Sequence, residues 1–437
     1  MLKIIKLKIS RRILRYMKDI IRKLKEQKFI TKVGVSEDNY KDDITQTGDP
    51  DEIIKYVERP KYPITKESNS ALMYIMHNSG LAASEDFMTW DEVEAVTDED
   101  IKNKKSTLFP GGPTIPISFF AAPFGDSSFP TLEYFNEFKY FTNVTMVSNE
   151  ISPYVTLPRS LKEVTFPKSC INISISGIDQ RNLSKLIIDP ENPKYDSRND
   201  CNAIIDTETN TLIIGTASTI IPDSVTSIGE SAFSECTNLN NITIPDSVTS
   251  IGDSAFKVCD SLTSITIPDS VTSIGDSAFD SCTNLNNITI PDSVTSIGDS
   301  AFEGCANLSN IKLSDNITEL QPDTFKYCHS LKTIIIPDSV TEIIGGVFWD
   351  SGLESITIPA NVTSMSAAFK DCRKLSTIIS LAPVAGELNG SYTDVDNMGA
   401  DVEGEKILQV PKNATGYNSY PWSAFAAAGY TLKYIEE

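Results

Sequence analysis

The residue types that most often perform catalysis are scarce in this chain. Its 437 residues include two histidines, His77 and His329, so a histidine-containing catalytic triad or a zinc site has almost no material. His329 occupies a variable position of a repeat and is interpreted as a loop residue, and His77 lies near the end of a predicted helix. The glycines around Gly111 and Gly345 match no phosphate-binding loop. The sequence therefore predicts no enzyme activity, no cofactor and no metal site.

Carboxylates are abundant, but their spacing indicates a structural role. Asp253, Asp276 and Asp299 recur every 23 residues in the turn before a Ser-Ala-Phe sequence, where each is predicted to cap a short helical turn. A glycosidase needs two acids that face each other across a groove, and a column of equivalent acids on one surface does not supply such a pair. A hydrolase therefore has no support beyond the number of acids, and it is the weakest alternative.

Eight cysteines raise the question of disulfides or a soft-metal site. Five of them keep the 23-residue step, so stacked repeats could bring their sulfur atoms close together. The alternative is a column of buried free thiols, in which each cysteine acts as a small hydrophobic residue. Because the chain is long and no export signal is recognised at its start, reduced thiols are favoured. The eight are Cys170, Cys201, Cys236, Cys259, Cys282, Cys305, Cys328 and Cys372.

An internal repeat determines the predicted architecture. Pro-Asp-Ser-Val-Thr-Ser-Ile-Gly recurs from Pro222, Pro245, Pro268 and Pro291, at intervals of 23 residues. Each copy is predicted to carry a short strand, a turn and a short helical turn. A phenylalanine occupies the same place in each copy: Phe233, Phe256, Phe279, Phe302, Phe325, Phe348 and, after two single deletions, Phe369.

The residues of one copy explain why the copies must stack. Ile242 and Ile244 point to one side of a strand, Asn241 and Thr243 point to the other, and Pro245 ends the strand. The chain then returns along the far side with further apolar side chains. A coil of 23 residues has too little interior to be stable alone, so its neighbours must cover the apolar side. The sequence predicts a solenoid with a parallel sheet on one face.

This repeat resembles the BspA-like leucine-rich repeats, in which proline follows the strand and Ala-Phe-x-x-Cys lies on the convex side with its cysteine facing inward. The resemblance covers residues 220–381, and less regular coils are expected upstream at 161–167 and 192–213. It implies an α/β solenoid that ends in a cap around residues 421–425. Counting the predicted strands gives about eleven coils, and at about 4.8 Å per parallel strand the solenoid should be about 50 Å long. Segment 383–404 departs from the repeat and is predicted to be an inserted loop.

Four segments are predicted along the chain. Residues 1–34 form a basic amphipathic helix, 35–66 an acidic linker, 67–137 a small helical module with an inserted loop, and 138–437 the leucine-rich repeat solenoid with its C-terminal cap. In the module, Thr89 is predicted to cap a helix that begins with acidic residues. The formal net charge of −21 is divided unequally, because the first 32 residues hold twelve Lys/Arg and two acids, about +10 net.

The N-terminal segment allows several interpretations. Its apolar residues recur at heptad spacing, which is typical of a coiled-coil seam, and its other positions are rich in Lys and Arg. It could be a solvated surface helix, oligomerise through the seam, bind an acidic partner or contact a membrane surface. Because Lys or Arg interrupts every apolar stretch, no signal peptide is expected. The residues predicted to attach the chain to an assembly are Leu7, Arg11, Leu14, Arg15, Met17, Ile21 and Leu24.

The outward side of the strands is the predicted binding surface. It presents short, mostly neutral side chains that form hydrogen bonds, and it lacks aromatic residues. Because binding hot spots are usually Trp, Tyr or Arg, a merely solvated sheet face is the alternative. The hypothesis is that a protein or a glycan binds through Asn241, Thr243, Ser264, Thr266, Asn287, Thr289, Asn310 and Lys312.

The resemblance implies a non-enzymatic binding or structural protein. BspA-like repeats usually belong to surface adhesins, and a helical module before such coils is similar to proteins of gut Bacteroides and of their phages. Because no export signal is recognised, a virion component is favoured: a phage fibre, decoration or receptor-binding protein attached by its N-terminal helix. A bacterial cell-surface adhesin is the alternative. The expected partners are a virion protein or a second copy at the helix, and a host-surface protein or glycan at the repeats. No nucleic acid is expected on the acidic solenoid.

Overall fold

The three-dimensional structure is a computed structural model of the chain. In the repeat region it describes residues 161–174, 178–385, 387–388, 395–418 and 422–435. Upstream it describes residues 64–65, 76–77, 81–84, 86–97, 105–107, 114–116, 134–135 and 146–147. The predicted helix over 1–34 lies outside the described residues, as does the predicted linker apart from Ile64–Thr65. All the described residues belong to the second of two compact units, Pro63–Glu437.

A capped helix precedes the repeats, as the sequence predicted. The Thr89 hydroxyl accepts a hydrogen bond from the Glu92 N–H at 3.2 Å, and the Glu92 carboxylate accepts one from the Thr89 N–H at 2.7 Å. These reciprocal bonds form a capping box, which pairs backbone donors that a helix start leaves open. The elements of this region are β1 (Ile64–Thr65), β2 (Phe87–Met88), helix α1 (Trp90–Ala95), β3 (Lys105–Thr107) and β4 (Thr114–Pro116).

Both pairings in this region are antiparallel: β1 with β2, and β3 with β4. Strand β4 lies inside segment 67–137, which the sequence predicts to be a small helical module with an inserted loop. Three residues of β4 pair with three of β3, which supplies their backbone hydrogen bonds.

The repeat region consists of short strands, most of them paired parallel between successive coils. In chain order these are β5 (Tyr134–Phe135), β6 (Met146–Val147), β7 (Glu163–Phe166), β8 (Asn172–Ile173), β9 (Lys185–Ile188), β10 (Tyr195–Asp196), β11 (Ile204–Asp206), β12 (Thr211–Ile214), β13 (Ser227–Ile228), β14 (Ser250–Ile251), β15 (Ser273–Ile274), β16 (Asn287–Thr289), β17 (Ser296–Ile297), β18 (Asn310–Lys312), β19 (Glu319–Leu320), β20 (Glu342–Ile343), β21 (Ser355–Ile358), β22 (Ser364–Met365), β23 (Thr377–Ser380), β24 (Glu387–Leu388), β25 (Lys406–Val410) and β26 (Tyr430–Tyr434). A 3-10 helix (Arg198–Asp200) lies between β10 and β11, and helix α2 (Ser423–Ala427) lies before β26.

The predicted strands form a parallel sheet, called here the exposed sheet. It comprises the runs β5-β7-β9, β16-β18 and β21-β23-β25-β26, together with isolated bridges such as Thr243 with Thr266. Ser264 lies opposite Asn287, and Asn287 lies opposite Asn310, so equivalent residues of successive coils are in register. The structure therefore confirms a solenoid of about eleven turns of about 23 residues.

A second parallel ladder, which the sequence did not predict, follows the turn after each strand. It runs β12-β13-β14-β15-β17 and then β19-β20-β22-β24. The less regular coil expected at 192–213 begins this ladder as an antiparallel hairpin, because β10 and β11 pair antiparallel with each other and β11 with β12. Each ladder strand is two to four residues long, too short to show as a period-2 pattern of its own.

The far side of each coil consists of tight turns, so the predicted short helical turn was wrong. Ser231 and Glu235 have φ of 56° and 60°, the left-handed region, which interrupts a helix. The N–H groups of Ser231, Phe233 and Glu235 bond to carbonyls of the next coil at 2.8, 2.7 and 2.7 Å. These bonds between coils alternate with tight-turn bonds within one coil, such as that from the Cys236 N–H to the Phe233 carbonyl at 3.1 Å. Little of the solenoid is therefore helical.

The interior is a stack of phenylalanine rings. Phe256, Phe279 and Phe302 are fully buried, and their ring centroids lie 5.3 and 5.4 Å apart with nearly parallel planes. The stack extends from Phe233 to Phe369 with spacings up to 5.9 Å. The phenylalanine column that the sequence predicted is therefore the centre of the core.

Segment 383–404 was expected to be an inserted loop, but its described residues continue the coil. Strand β24 pairs parallel with β22, and the turn that follows bonds back to the preceding coil. The Gly399 N–H bonds to the Cys372 carbonyl and the Asp371 N–H to the Asp396 carbonyl, both at 2.9 Å. The segment lacks the side chains of the repeat, but the bonds between coils use only backbone groups.

Candidate interaction surface

All eight residues predicted to bind a partner lie on the exposed sheet. Thr243 pairs with Thr266, Ser264 with Asn287, and Asn310 follows on the next coil. The structure therefore brings together Asn241, Thr243, Ser264, Thr266, Asn287, Thr289, Asn310 and Lys312, and each of them is exposed.

The strand pattern explains why these side chains face outward. Ile265, Ile288 and Ile311 alternate with them and are 7%, 4% and 5% exposed, because they point into the core. Leucines such as Leu285 close the core from the bend before the strand. The buried face fixes the strand register, since a slip of one residue would expose the isoleucines.

Two isoleucines on the exposed sheet are left in solvent. Ile220 is 76% exposed and Ile335 is 84% exposed, and both occupy the same repeat position as Thr243. Neither is among the eight predicted binding residues, although counting in steps of 23 residues from Thr243 reaches both of them. The surface therefore carries apolar contacts as well as hydrogen-bonding groups.

The first regular coils form an open depression on the exposed sheet. Its volume is about 1140 Å³, and its lining includes Asn241, Thr243, Ser264 and Thr266 together with Ile220. Half of the predicted binding residues thus line one concave region. It combines one exposed apolar side chain with hydroxyl and amide groups.

A column of aspartates borders the exposed sheet. In each coil the aspartate comes directly after the proline position that ends the strand, and its side chain is exposed. The six are Asp223, Asp246, Asp269, Asp292, Asp315 and Asp338. The Asp292 carboxylate accepts a hydrogen bond from the Asp315 N–H at 3.1 Å and lies 3.7 Å from the Lys312 ammonium. The border of the surface is therefore negative, which disfavours anionic partners.

Asp253, Asp276 and Asp299 do not cap helices. Asp253 accepts a hydrogen bond from the Asp276 N–H, and Asp276 accepts one from the Asp299 N–H, each at 2.9 Å. The carboxylates thus join successive coils. The residue before each donating aspartate must be glycine, since a Cβ on Gly275 would lie 2.3 Å from the Asp253 Oδ1.

The third aspartate of this column lacks an equivalent donor. The next coil presents Pro322 where the others present an aspartate N–H, and proline has no N–H. Burial, and then the charges of Asp276 and Asp323, raise the pKa of Asp299 above its ordinary value. The column is a structural ladder whose third member, Asp299, has no aspartate N–H opposite it.

The cysteine column consists of buried thiols that form no disulfides. The Sγ atoms of Cys282 and Cys305 lie 3.1 and 3.2 Å from the carbonyl oxygens of Phe256 and Phe279, one coil back. Burial raises the pKa of Cys236 to about 12, so the thiol stays protonated and can donate. All eight cysteines are buried and none of them forms a disulfide in the structure, in agreement with the favoured interpretation.

The two histidines belong to no metal cluster within the described residues. His329 lies 3.7 Å from the Asp350 carboxylate at the surface, and the His77 Nδ1 lies 3.2 Å from the Ala82 carbonyl oxygen. Among the residues that the structure describes, no group of three or more His, Cys, Asp or Glu side chains could hold a metal ion. The same part of the chain contains no helix with the length and hydrophobicity to cross a membrane.

Sequence reasoning missed an aromatic cluster on the convex side. The Lys326 and Lys370 ammonium groups lie 4.8 and 4.4 Å from the centre of a Trp349 ring, and the indole N–H donates to Asp371 at 3.1 Å. Tyr327 beside it is 37% exposed. The signal was the occurrence of Trp349 at a position that other coils fill with small or charged residues. The predicted attachment residues, Leu7 to Leu24, lie outside the described residues.

Comparison with known families identifies the repeat. The BspA-type leucine-rich repeat region matches in six copies, over residues 214–328 and 249–376. This chain contains a BspA-type leucine-rich repeat region. The leucine-rich repeat family predicted from the sequence is thereby confirmed, and the match indicates no catalytic family. A search of curated proteins finds no match.

Several solved structures are similar to this leucine-rich repeat protein. One from Eubacterium ventriosum is 26% identical over 48% of this chain and 63% of its own, with a TM-score of 0.38. The T. pallidum leucine-rich repeat protein is 23% identical over 52% of this chain and 93% of its own, with a TM-score of 0.37. One from Bacteroides ovatus is 20% identical over 67% and 88%, with a TM-score of 0.34. Nothing in these comparisons indicates a virion or phage protein.

Proposed function

We propose that this leucine-rich repeat protein is a non-enzymatic binding protein whose exposed sheet contacts a protein or a glycan. The observation that carries the proposal is the continuous exposed surface formed by the eight predicted residues, with Ile220 and Ile335 in the same column. Repeat solenoids bind through such extended surfaces. The depression around Asn241 and Thr266 is the first place where a ligand would fit.

The charges around the surface define the partner further. The aspartate column on its border attracts cationic groups and repels polyanions, whereas the eight predicted residues are neutral except for Lys312. A neutral glycan or a protein surface with exposed Lys or Arg fits this arrangement. A contact with basic groups would weaken as salt rises, and a contact with a neutral sugar would not.

The chain would carry this surface outside a cell. The repeat family supports an adhesin on a bacterial surface, and a virion component attached by the predicted N-terminal helix is the other candidate. Mass spectrometry of purified virions and of washed bacterial cells separates the two locations. Detection of the chain in the soluble interior of the cell alone would contradict both.

Binding is tested with the full chain on a printed glycan panel and on washed bacterial and epithelial cells. The double variant Asn287→Glu and Asn310→Glu places two charges in the centre of the exposed sheet and should abolish binding. The matched control is Thr272→Glu with Thr295→Glu, two exposed residues of the turn after the strand. Equal binding by both double variants would contradict the proposal. Turnover of any glycan or peptide on the same panel would instead support the hydrolase alternative.

A further inference from the structure

The last strand of the exposed sheet has an open edge. Strand β26 pairs with β25 on one side, and within the described residues it has no neighbour on the other. It is five residues long, whereas most strands of the solenoid have two to four. An edge of this length presents a row of unpaired backbone groups, on which a further strand can pair.

The direction of these backbone groups follows from one hydrogen bond. The Ile435 N–H bonds to the Val410 carbonyl on β25 at 2.8 Å, so Ile435 faces β25. Successive residues of a strand alternate in the side to which their N–H and C=O point. The backbone groups of Tyr430, Leu432 and Tyr434 therefore face the open edge.

We propose that this edge pairs with the same edge of a second copy of the chain, antiparallel, about a two-fold axis at Leu432. In this register Leu432 faces Leu432 of the second copy, and Tyr430 faces Tyr434. These are the three residues whose backbone groups point outward, so every pair is a hydrogen-bonded pair, with about six hydrogen bonds in all. The contact is isologous, as a two-fold dimer requires.

The side chains of β26 are complementary to themselves in this register. Leu432 is partly buried against the core and Tyr434 is 45% exposed, so the end of the sheet retains uncovered apolar surface. Pairing brings Tyr434 beside Tyr430 of the other copy and the two Leu432 side chains together. Aromatic and aliphatic pairs of this kind stabilise antiparallel strands.

The charge on the edge does not oppose the pairing. A lysine on an edge strand often prevents association, and β26 contains Lys433. Its ammonium lies 2.7 Å from the Glu405 carboxylate on the neighbouring segment, which holds the charge over the sheet. In the proposed register Lys433 faces Thr431 of the second copy, so no like charges lie directly opposite each other.

The test is sedimentation equilibrium of the full chain and of variants in which Thr431 is substituted. Thr431 is exposed, so its substitution leaves the core intact. T431K places a lysine opposite Lys433 at both symmetric contacts, and T431E places a carboxylate there. We expect a monomer–dimer equilibrium in the unmodified chain. Its dissociation constant should rise roughly tenfold in T431K and fall by a similar factor in T431E.

Two results would overturn the proposal. One is a monomer at every concentration up to about a millimolar, which lies well above the range of specific association. The other is a dimer whose dissociation constant is the same in both variants, because the contact would then lie elsewhere, for example on the predicted N-terminal seam. Thermal unfolding of each variant at low concentration separates a change in association from a change in folding.

Discussion

Removal of one ring from the phenylalanine stack tests the packing of the solenoid most directly. Phe302 is fully buried, and its ring centroid lies 5.4 Å from that of Phe279 and 5.8 Å from that of Phe325. Phe302→Ala removes the apolar side chain and leaves a cavity, at a cost of about 3–5 kcal/mol. It also removes two ring pairs, each worth about 0.5–1.5 kcal/mol beyond the buried area. We expect the loss of stability to lie near the upper end, about 5 kcal/mol.

A matched substitution at the end of the stack separates the two contributions. Phe369 is 3% exposed and stacks on one ring, Phe348, at 5.9 Å. Phe369→Ala should therefore cost about 1 kcal/mol less than Phe302→Ala, the value of one ring pair. Phe302→Leu retains most of the volume and should cost about 1–2 kcal/mol.

The assay is urea unfolding followed by far-ultraviolet circular dichroism, with hydrogen exchange to locate the change. Because each coil contacts its neighbours, exchange should rise first in the coils that contain Phe279, Phe302 and Phe325. A cost below about 2 kcal/mol for Phe302→Ala would refute the reasoning, since that value is below the range for a buried aromatic ring. Exchange that rises evenly along the solenoid would refute the assignment of the cost to local stacking.

Three further predictions concern single positions. Val258 has φ of 58°, a left-handed conformation that disfavours a branched side chain, and Gly304 occupies the same repeat position with φ of 70°. Thermal and urea unfolding should show that Val258→Gly stabilises the protein and Gly304→Val destabilises it, each by about 1 kcal/mol; opposite signs would contradict the assigned turn. Asp299 has a raised pKa, so the folded state binds its proton more tightly than the unfolded state, and its carboxylate costs stability at neutral pH. Asp299→Asn should raise the urea midpoint at pH 7, and this gain should vanish as the pH falls below the ordinary value of 3.8; a gain that persists there would indicate another cause. Burial raises the pKa of Cys305, and all eight thiols are buried. A thiol reagent should therefore label almost none of them in the native protein and all eight in denaturant; rapid native labelling would contradict their burial.

The repeat made much of this fold predictable. Phe256 and Phe279 are 23 residues apart, and a solenoid places residues at that interval in the same column, so their stacking follows from counting. The exposed position of Thr266 and the buried position of Ile265 follow from the same count and the alternation of a strand. Thr89 could be recognised as a helix cap because a cap depends on residues within four positions of each other.

Features that arise between coils were harder to predict. Ser231 was placed in a helical turn, but its N–H bonds to the Asp253 carbonyl of the next coil and the residue is left-handed. The cluster of Lys326, Trp349 and Lys370 joins three successive coils at a variable position of the repeat, where only Trp349 is an aromatic residue. Such contacts depend on which side chains occupy the variable positions of neighbouring coils.

The sequence by itself determined the repeat family, the core columns and the outward face, because a period of 23 residues fixes which side chains share a column. Only the tertiary structure decided which backbone hydrogen bonds connect one coil to the next. It showed the second ladder, the turns with left-handed residues and the coil formed by segment 383–404, and among the described residues no strand pairs with the outer edge of β26. The physical reason is that these contacts are made by N–H and C=O groups, which every residue except proline carries alike, so no pattern of side chains marks them.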